Sequence, residues 1–201
     1  MNVTHARRFS AAVVFLSSVV MATAACTSTT SGQPSTPTSA EISAATSTAA
    51  TDNGAPKVTS PKNLKAITDP CQLLTPQQLQ ELGASGPRPD KSKWGEASCT
   101  WRNDNLNLNV APDTTQGQGM AAVYAHRKDF SNSEKTSVNG HPGLRVEKFS
   151  KTCGLYVGTS DTQLLLVDVA VLRDVKPEYR DHCAFIEKVA GMVLSNLPPA
   201  S

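Results

Sequence analysis

The sequence has few of the residues from which catalytic and metal sites are usually built. It contains four histidines in 201 residues, and its five cysteines include no C-x-x-C pair of the kind that binds zinc. His182 and Cys183 are adjacent in a predicted helix, so their side chains diverge by about 100° and do not suit a shared metal site. Gly117-Gln118-Gly119 follows no clear strand and is interpreted as a loop, not as a phosphate site. We therefore expect no metal, no cofactor and no catalytic residues.

The sequence also lacks an excess of charge. Its formal net charge is +2, from 19 Lys and Arg against 17 Asp and Glu. Residues 1–25 contain Arg7 and Arg8 and no acidic residue, so without them the chain carries 17 basic and 17 acidic residues. A neutral chain offers no electrostatic basis for binding nucleic acid or an anionic membrane surface.

No apolar run is long enough to span a membrane. The run at 11–20 is shorter than the roughly 20 residues that a hydrocarbon core of about 30 Å requires. It follows Arg7 and Arg8 and precedes a series of small residues, which is the order found in a secretory signal peptide. We expect residues 1–25 to be an export signal that is removed.

Two cleavage sites fit the end of this signal. Ala22-Thr23-Ala24 suits ordinary signal peptidase and would release a soluble protein, whereas Thr23-Ala24-Ala25-Cys26 resembles a bacterial lipobox with Thr23 in place of the usual Leu. We favour the lipobox, because a long flexible segment follows the cysteine. Cys26 would then carry diacylglyceryl and acyl chains such as palmitate, and two or three chains make a lasting anchor where one chain does not. The predicted location is the outer face of the cell membrane, in the cell envelope.

Residues 26–62, which begin with the cysteine expected to carry lipid, have the composition of a tether. It consists mostly of Thr, Ser, Ala, Pro and Gly, and it contains no aromatic residue. Such a segment cannot bury enough apolar surface to offset its conformational entropy, so we expect it to be disordered. Its Thr, Ser and Pro content suits O-glycosylation as well as it suits a bare linker.

Residues 63–201 have the pattern of one α+β domain. Thr75 and Gln78 form a predicted capping box, and Gly83 is a natural stop, so a helix is expected over Pro76–Leu82. Leu106-Asn107-Leu108-Asn109-Val110 alternates strictly between apolar and polar residues, which predicts a half-buried strand. Two further helices are predicted at 120–130 and 177–197, and further strands at 98–101, 136–138, 144–149, 153–157 and 163–172.

Short turns between most of these strands favour antiparallel pairing. Residues 84–96, rich in Gly, Pro and Lys, are expected to be a loop, and residues 139–143 a turn. The predicted fold is therefore a two-layer domain with an antiparallel sheet of about five or six strands, helices on one face and two disulfides.

Four cysteines remain after Cys26, and four can pair in three ways. We favour Cys71–Cys99 and Cys153–Cys183, because each bond would tie a helix or its approach to a neighbouring strand. Each would close a loop of about 30 residues, worth about 3–4 kcal/mol in the chain-entropy model.

The cysteine positions and their neighbours resemble those of a known family. Asp69-Pro70-Cys71 followed by Leu73-Leu74-Thr75, then Cys99-Thr100-Trp101, and finally Cys183 in a C-terminal helix are similar to a family of actinobacterial secreted lipoproteins. The resemblance covers about residues 69–198. It implies a mycobacterium-like host and a cell-envelope location, and it brings no activity, because the family is known only as a domain of unknown function.

Two hypotheses about function follow, and the first is favoured. The domain is a non-catalytic binding or accessory module for an envelope protein, lipid or glycan, or it is an envelope hydrolase in which His126 or His141 meets an acid and a hydroxyl in a cleft. Trp94, in a polar loop, is the possible recognition residue, whereas Trp101 is expected to pack in the core against the Cys71–Cys99 bridge. Asp168 alternates with valines in the most apolar strand and is expected to face solvent or an open sheet face.

Overall fold

The computed structural model describes residues 54–200, which form three α-helices and seven β-strands. The helices are α1 (Pro76–Leu82), α2 (Gly119–Ala125) and α3 (His182–Asn196), and the strands are β1 (Pro87–Lys91), β2 (Ala97–Arg102), β3 (Leu106–Asp113), β4 (Ser133–Val138), β5 (His141–Phe149), β6 (Thr152–Gly158) and β7 (Leu164–Val171). None of these helices has the length and apolar character that a membrane span requires. The export signal, Cys26 and the tether up to residue 53 lie outside the described residues.

Helix α1 has the predicted bounds because its two ends are defined locally. The Thr75 hydroxyl accepts a hydrogen bond from the Gln78 backbone N–H at 3.2 Å, and the Gln78 side chain accepts one from the Thr75 N–H at 2.8 Å. Gly83 ends the helix with φ of 67°, a left-handed conformation that glycine adopts without steric cost. The Tyr179 hydroxyl donates to the Leu82 carbonyl at 2.7 Å, so the end of α1 is also fixed to the segment before α3.

All seven strands belong to one antiparallel sheet in the order β1-β2-β3-β7-β6-β5-β4. The predicted α+β class and antiparallel pairing are confirmed, but the expected five or six strands are too few. The extra strand is β1, which lies within the predicted loop 84–96. Pro87 and Pro89 stand two residues apart, so their missing N–H groups lie on the same side of the strand. An edge strand can turn that side away from the sheet, which is why this proline-rich segment still pairs.

Other predicted boundaries also differ from the structure. The helix expected at 120–130 ends at Ala125. The expected helix 177–197 is interrupted, because Asp181 adopts an extended conformation and its side chain caps α3 by accepting from the Ala184 N–H at 2.9 Å. The turn between β4 and β5 is only Asn139-Gly140, both with positive φ, as a two-residue hairpin turn requires.

The folded part begins before the predicted boundary at residue 63. The Lys62 N–H donates to the Thr159 carbonyl at 2.7 Å, and the Ala200 N–H donates to the Pro61 carbonyl at 2.9 Å. The Val58 N–H donates to the Asp161 carboxylate at 3.2 Å. The last part of the expected tether is therefore held to the domain by hydrogen bonds, and Ala55 also packs against the apolar cluster that contains α2.

Helices lie on both faces of the sheet, which corrects the expectation of one covered face. Along β7, Leu165, Val167 and Val169 belong to one apolar cluster with α1 and α3, whereas Leu164 and Leu166 belong to a second cluster with α2. Successive strand residues point to opposite faces, so the two clusters lie on opposite sides of the sheet. We call the side covered by α1 and α3 the helix face and the other side the open face, since the short helix α2 covers only part of it.

Both favoured disulfides are present. Cys71 is bonded to Cys99 on β2, and Cys153 on β6 is bonded to Cys183 on α3. Trp101 is fully buried in the cluster that contains Cys99, and Cys71 packs against that cluster, as expected. An ion pair also holds α3 to the sheet: the Arg145 guanidinium donates to both oxygens of the Glu187 carboxylate at 2.8 Å.

Replacing either cysteine pair with alanines should lower the free energy of unfolding by about 3–4 kcal/mol, because the two bonds close loops of similar length, with separations of 28 and 30 residues. Urea denaturation of the Cys71→Ala/Cys99→Ala and Cys153→Ala/Cys183→Ala chains measures both values. A loss below about 1 kcal/mol for either pair would contradict the chain-entropy argument.

Candidate functional site

The polar part of the open face lies where the central strands are not covered by α2. Asn107 and Asn109 on β3, Asp168 on β7 and Gly154 on β6 occupy this side of the sheet, and the register pairs Asp168 with Asn109 on one side and with Gly154 on the other. Their strand neighbours on the helix face are apolar and buried. The alternation therefore leaves a polar surface in the middle of the sheet, which strand residues on a half-covered sheet can form.

A cavity of about 240 Å³ lies on this surface, and we call it the Asp168 cavity. Its lining residues come from β3, β5, β6 and β7: Asn107, Asn109, Glu147, Thr152, Cys153, Gly154, Asp168, Val169 and Ala170.

Gly154 is needed for the shape of the Asp168 cavity. A Cβ atom at this position would lie 2.8 Å from Oδ1 of Asp168 and 3.0 Å from a methyl group of Val146. Real Cβ atoms essentially never come that close to another heavy atom, so any side chain here would displace Asp168. The glycine therefore lets the carboxyl group lie over the neighbouring strand.

The carboxyl group of Asp168 is half-buried and has no hydrogen-bond partner among residues 54–200. Burial raises its pKa to about 6, and the positive charge of Lys93 acts in the opposite direction. Oδ1 of Asn107, which lines the same cavity, is buried and also lacks a partner in the described part of the chain. Unpaired polar groups in a cavity are unfavourable for folding, and such groups concentrate at functional sites.

A second cavity of about 240 Å³ adjoins α2, and we call it the Trp94 cavity. It is lined by Lys93, Trp94, Asp113, Ala122, Val123, His126, Phe130, Tyr156 and Leu164. Tyr156 lies two residues beyond Gly154 on the same side of β6, so the two cavities occupy the same face.

Trp94, the possible recognition residue in the polar loop, is half-buried in the structure. Its indole N–H donates to the Pro112 carbonyl at 2.9 Å, and its ring packs against the cluster under α2. A tryptophan in a polar loop still prefers to bury its ring when its N–H finds an acceptor. Trp94 therefore forms part of a cavity wall, and its role in recognition stays a prediction.

Lys93 lines the Trp94 cavity, and its positive charge also acts on Asp168 in the other cavity. Its ammonium group donates to the Tyr156 hydroxyl and lies 4.9 Å from the centre of the Tyr156 ring and 5.8 Å from that of Trp94. The loop that carries it is held by Glu96, whose carboxylate accepts from the backbone N–H groups of Thr114 and Thr115 at 2.8–3.1 Å. Burial raises the pKa of Glu96, but these hydrogen bonds outweigh it, so the pKa lies below its usual value.

The histidines do not come together with an acid and a hydroxyl as the hydrolase hypothesis requires. His126 lines the Trp94 cavity and lies 3.0 Å from the Asp129 carboxylate, but both side chains are exposed and the hydroxyl of that cavity, on Tyr156, accepts from Lys93. His141 is buried and its Nδ1 lies 2.8 Å from the Gly158 carbonyl, which is a structural contact. Within residues 54–200, no three side chains of His, Cys, Asp or Glu are grouped to hold a metal ion.

Most of the cavity residues were missed from the sequence. Asp168 was placed on the open face, but Lys93, Glu147 and Tyr156 carried no local signal, because they come from separate loops and strands. The available signal was the asparagines of β3 and the aspartate of β7, which interrupt strands whose other residues are mostly apolar.

Asp168→Asn should raise the free energy of unfolding at pH 7 by about 2–3 kcal/mol. The folded-state pKa of Asp168 is about 6, above the value of about 3.9 expected in the unfolded chain. The contribution of protonated Asp168 to the free energy of unfolding is therefore fully present below about pH 4 and is lost as the pH rises through 6. The variant cannot ionise, so it should match the wild type near pH 4 and exceed it at pH 7. Urea denaturation at both pH values measures the difference. The exposed Asp174→Asn is the control and should show no such gain; equal effects of the two substitutions would contradict the burial argument.

The sequence has no match to a curated protein or to a solved structure. A family described as "Protein of unknown function (DUF3558)" matches residues 21–196, a range that includes Cys26 and both disulfides. The chain therefore belongs to this family, DUF3558, whose function is unknown.

Proposed function

We propose that the protein is a lipid-anchored binding or accessory module on the outer face of an actinobacterial cell membrane, and that the open face of its sheet holds a ligand from the cell envelope. The single observation that carries the binding role is the Asp168 cavity. The carboxyl group of Asp168 is half-buried in this cavity without a partner, which lowers the free energy of unfolding. A cost of this kind is typical of residues that serve a function.

The anchor is supported by sequence and by disulfide content. Cys26 follows three small residues at the end of the export signal, and the match to the family begins at residue 21, before this cysteine. The two disulfides of the domain suit an oxidising compartment outside the cytosol. Acyl chains on Cys26 would then hold the domain at the membrane without a basic patch.

The place where the chain joins the domain leaves the Asp168 cavity accessible. Residues 58–62 contact Thr159 and Asp161, which lie where β6 ends and before β7 begins. The cavity includes Thr152 and Ala170, at the opposite ends of these strands. About 30 residues separate Cys26 from this attachment, and a flexible segment of that length spans about 30 Å on average. Residues 58–62 do not line the Asp168 cavity, so this attachment would leave the cavity open to a ligand.

The binding role fits the described geometry better than the hydrolase role. Binding needs a shaped cavity with a few polar groups, and both cavities on the open face meet that requirement. Hydrolysis needs a nucleophile next to a base, and His126 and His141 contact an exposed aspartate and a backbone carbonyl instead.

Cys26→Ala should release the protein from the membrane. In an actinobacterial host, the wild-type chain is expected in the membrane fraction with an intact mass that begins at Cys26 and includes diacylglyceryl and acyl groups. The variant is expected in the medium without acyl mass, because no other residue would carry lipid. Thr23→Leu, which restores the usual lipobox residue, is the control and should remain anchored. A wild-type species that begins at Ala25 without acyl mass would disprove the anchor.

Trp94 should report binding on the open face. Its ring lines the Trp94 cavity, whereas the only other tryptophan, Trp101, is fully buried on the helix face. Titration with vesicles of extracted envelope lipid, and separately with soluble envelope glycan, should change the tryptophan emission saturably for one of the two. Trp94→Phe keeps an aromatic ring and should lose the response. An equal response in this variant, or none to either probe in the wild type, would contradict binding at this face.

A further inference from the structure

The wall of the Trp94 cavity is built mainly from apolar side chains. The ring centres of Phe130 and Tyr156 lie 5.7 Å apart, and Trp94, Val123 and Leu164 complete the apolar part. All five belong to the apolar cluster under α2 or pack against it. Such a wall favours a ligand with an apolar body, because binding removes both apolar surfaces from water.

Most polar groups of this wall already have a partner within the protein. The Trp94 indole N–H donates to a backbone carbonyl at 2.9 Å, and the Asp113 carboxylate accepts from the Gln116 N–H at 3.1 Å. His126 lies 3.0 Å from the Asp129 carboxylate. Burial raises the pKa of Asp113, so its carboxyl opposes an anionic ligand less than an ordinary carboxylate would. A ligand rich in hydroxyl or amide groups would find few free partners here.

Lys93 contributes a cation with unused hydrogen-bonding capacity. The residue is exposed, and its ammonium group donates to the Tyr156 hydroxyl and lies 5.8 Å from the centre of the Trp94 ring. An ammonium group has three N–H donors, so this contact leaves two of them for a ligand. Among residues 54–200, no carboxylate lies within 4 Å of this ammonium group. The charge complementarity of the cavity therefore favours a ligand with one anionic end.

We propose that the Trp94 cavity binds the carboxylate end of an acyl chain, with Lys93 as the partner of the carboxylate and with Trp94, Val123 and Phe130 against the first methylene groups. This inference rests on the proposed function, because it names the ligand class of the same open face. With about 240 Å³, the cavity has room for the carboxylate end of a chain and not for a whole lipid.

An acyl carboxylate fits this wall in both of its parts. A charge-assisted bond from an ammonium group to a carboxylate is stronger than a bond between neutral groups. The rest of the chain carries no polar group that the apolar wall would leave without a partner. A cationic ligand, in contrast, would be repelled by Lys93.

The test uses the exported chain with Cys26→Ala, uniformly labelled with ¹⁵N, and titrates it with octanoate and with octanamide, which differ by the negative charge. The amide signals of Val123 and Leu164 should shift saturably with octanoate, with Kd of about millimolar, and octanamide should bind at least about tenfold more weakly. The signal of Ala170, which lines the Asp168 cavity, should remain unchanged. Butanoate and hexanoate test the apolar part, because each buried methylene should tighten binding about fourfold.

Matched variants separate the charge from the apolar wall. Lys93→Met should weaken octanoate binding at least about tenfold and change octanamide binding much less, whereas Lys93→Arg keeps the charge and should still bind octanoate. Lys91→Met, at an exposed lysine of β1, is the control and should change neither. Ala122→Leu narrows the cavity and should weaken both probes, whereas the same change at the exposed Ala125 should not. The amide spectrum of each variant checks that it is folded.

Asp168→Asn distinguishes this site from the Asp168 cavity. The charge of Lys93 acts on Asp168, so removing the aspartate charge should tighten octanoate binding about twofold at pH 7. A loss of octanoate binding in this variant would place the ligand in the Asp168 cavity and overturn the inference.

Three further results would overturn it: equal affinities for octanoate and octanamide, an unchanged octanoate affinity in Lys93→Met, or no saturable shift at about 20 mM octanoate. Failure of octanoate together with a saturable Trp94 response to envelope glycan would reject the ligand class and leave the binding role standing. Failure of the Cys26 experiment would leave the octanoate result unaffected, because the residues that line the cavity are the same.

Discussion

The packing of α3 against the two central strands is the interaction on which the rest of the domain depends. Its buried side chains Phe185, Val189 and Val193 belong to one apolar cluster with the inward-facing residues of β6 and β7, and the Cys153–Cys183 bond fixes the start of the helix to β6. The same cluster takes in the end of α1 and the strand that carries Cys99. Because this one face buries most of the apolar surface, the sheet does not need a second large apolar face to be stable.

That asymmetry explains why the open face can carry polar groups. Strand residues alternate, so each apolar residue that β3 and β7 place under α3 is accompanied by a neighbour on the other side. Three of these neighbours, Asn107, Asn109 and Asp168, are polar and surround a cavity that Gly154 keeps open. The position of Asp168 raises its pKa and lowers the stability of the folded state at neutral pH, a cost that the proposed ligand-binding role would explain.

The segment that precedes the domain and the proposed site lie at opposite ends of β6 and β7. The chain from Cys26 joins the domain near Thr159 and Asp161, and the Asp168 cavity lies toward the opposite ends of the same strands. The segment that would lead to the proposed anchor therefore does not cover the proposed site.

The sequence by itself determined the features that depend on neighbouring residues. The capping box of Thr75 and Gln78 and the stop at Gly83 defined the two ends of α1. The alternation around Asn107 predicted β3, and the apolar stripe that includes Cys183 predicted which side of α3 packs against the sheet. Composition could not show that Pro87–Lys91 pairs as an edge strand, that α2 lies on the opposite face, or that residues 58–62 bind the domain. These depend on which backbone groups find partners far along the chain. Only the tertiary structure forms the cavity. Asp168 lies beside Gly154 because of the register between β6 and β7, and no local sequence pattern predicts that register or the order of the strands in the sheet.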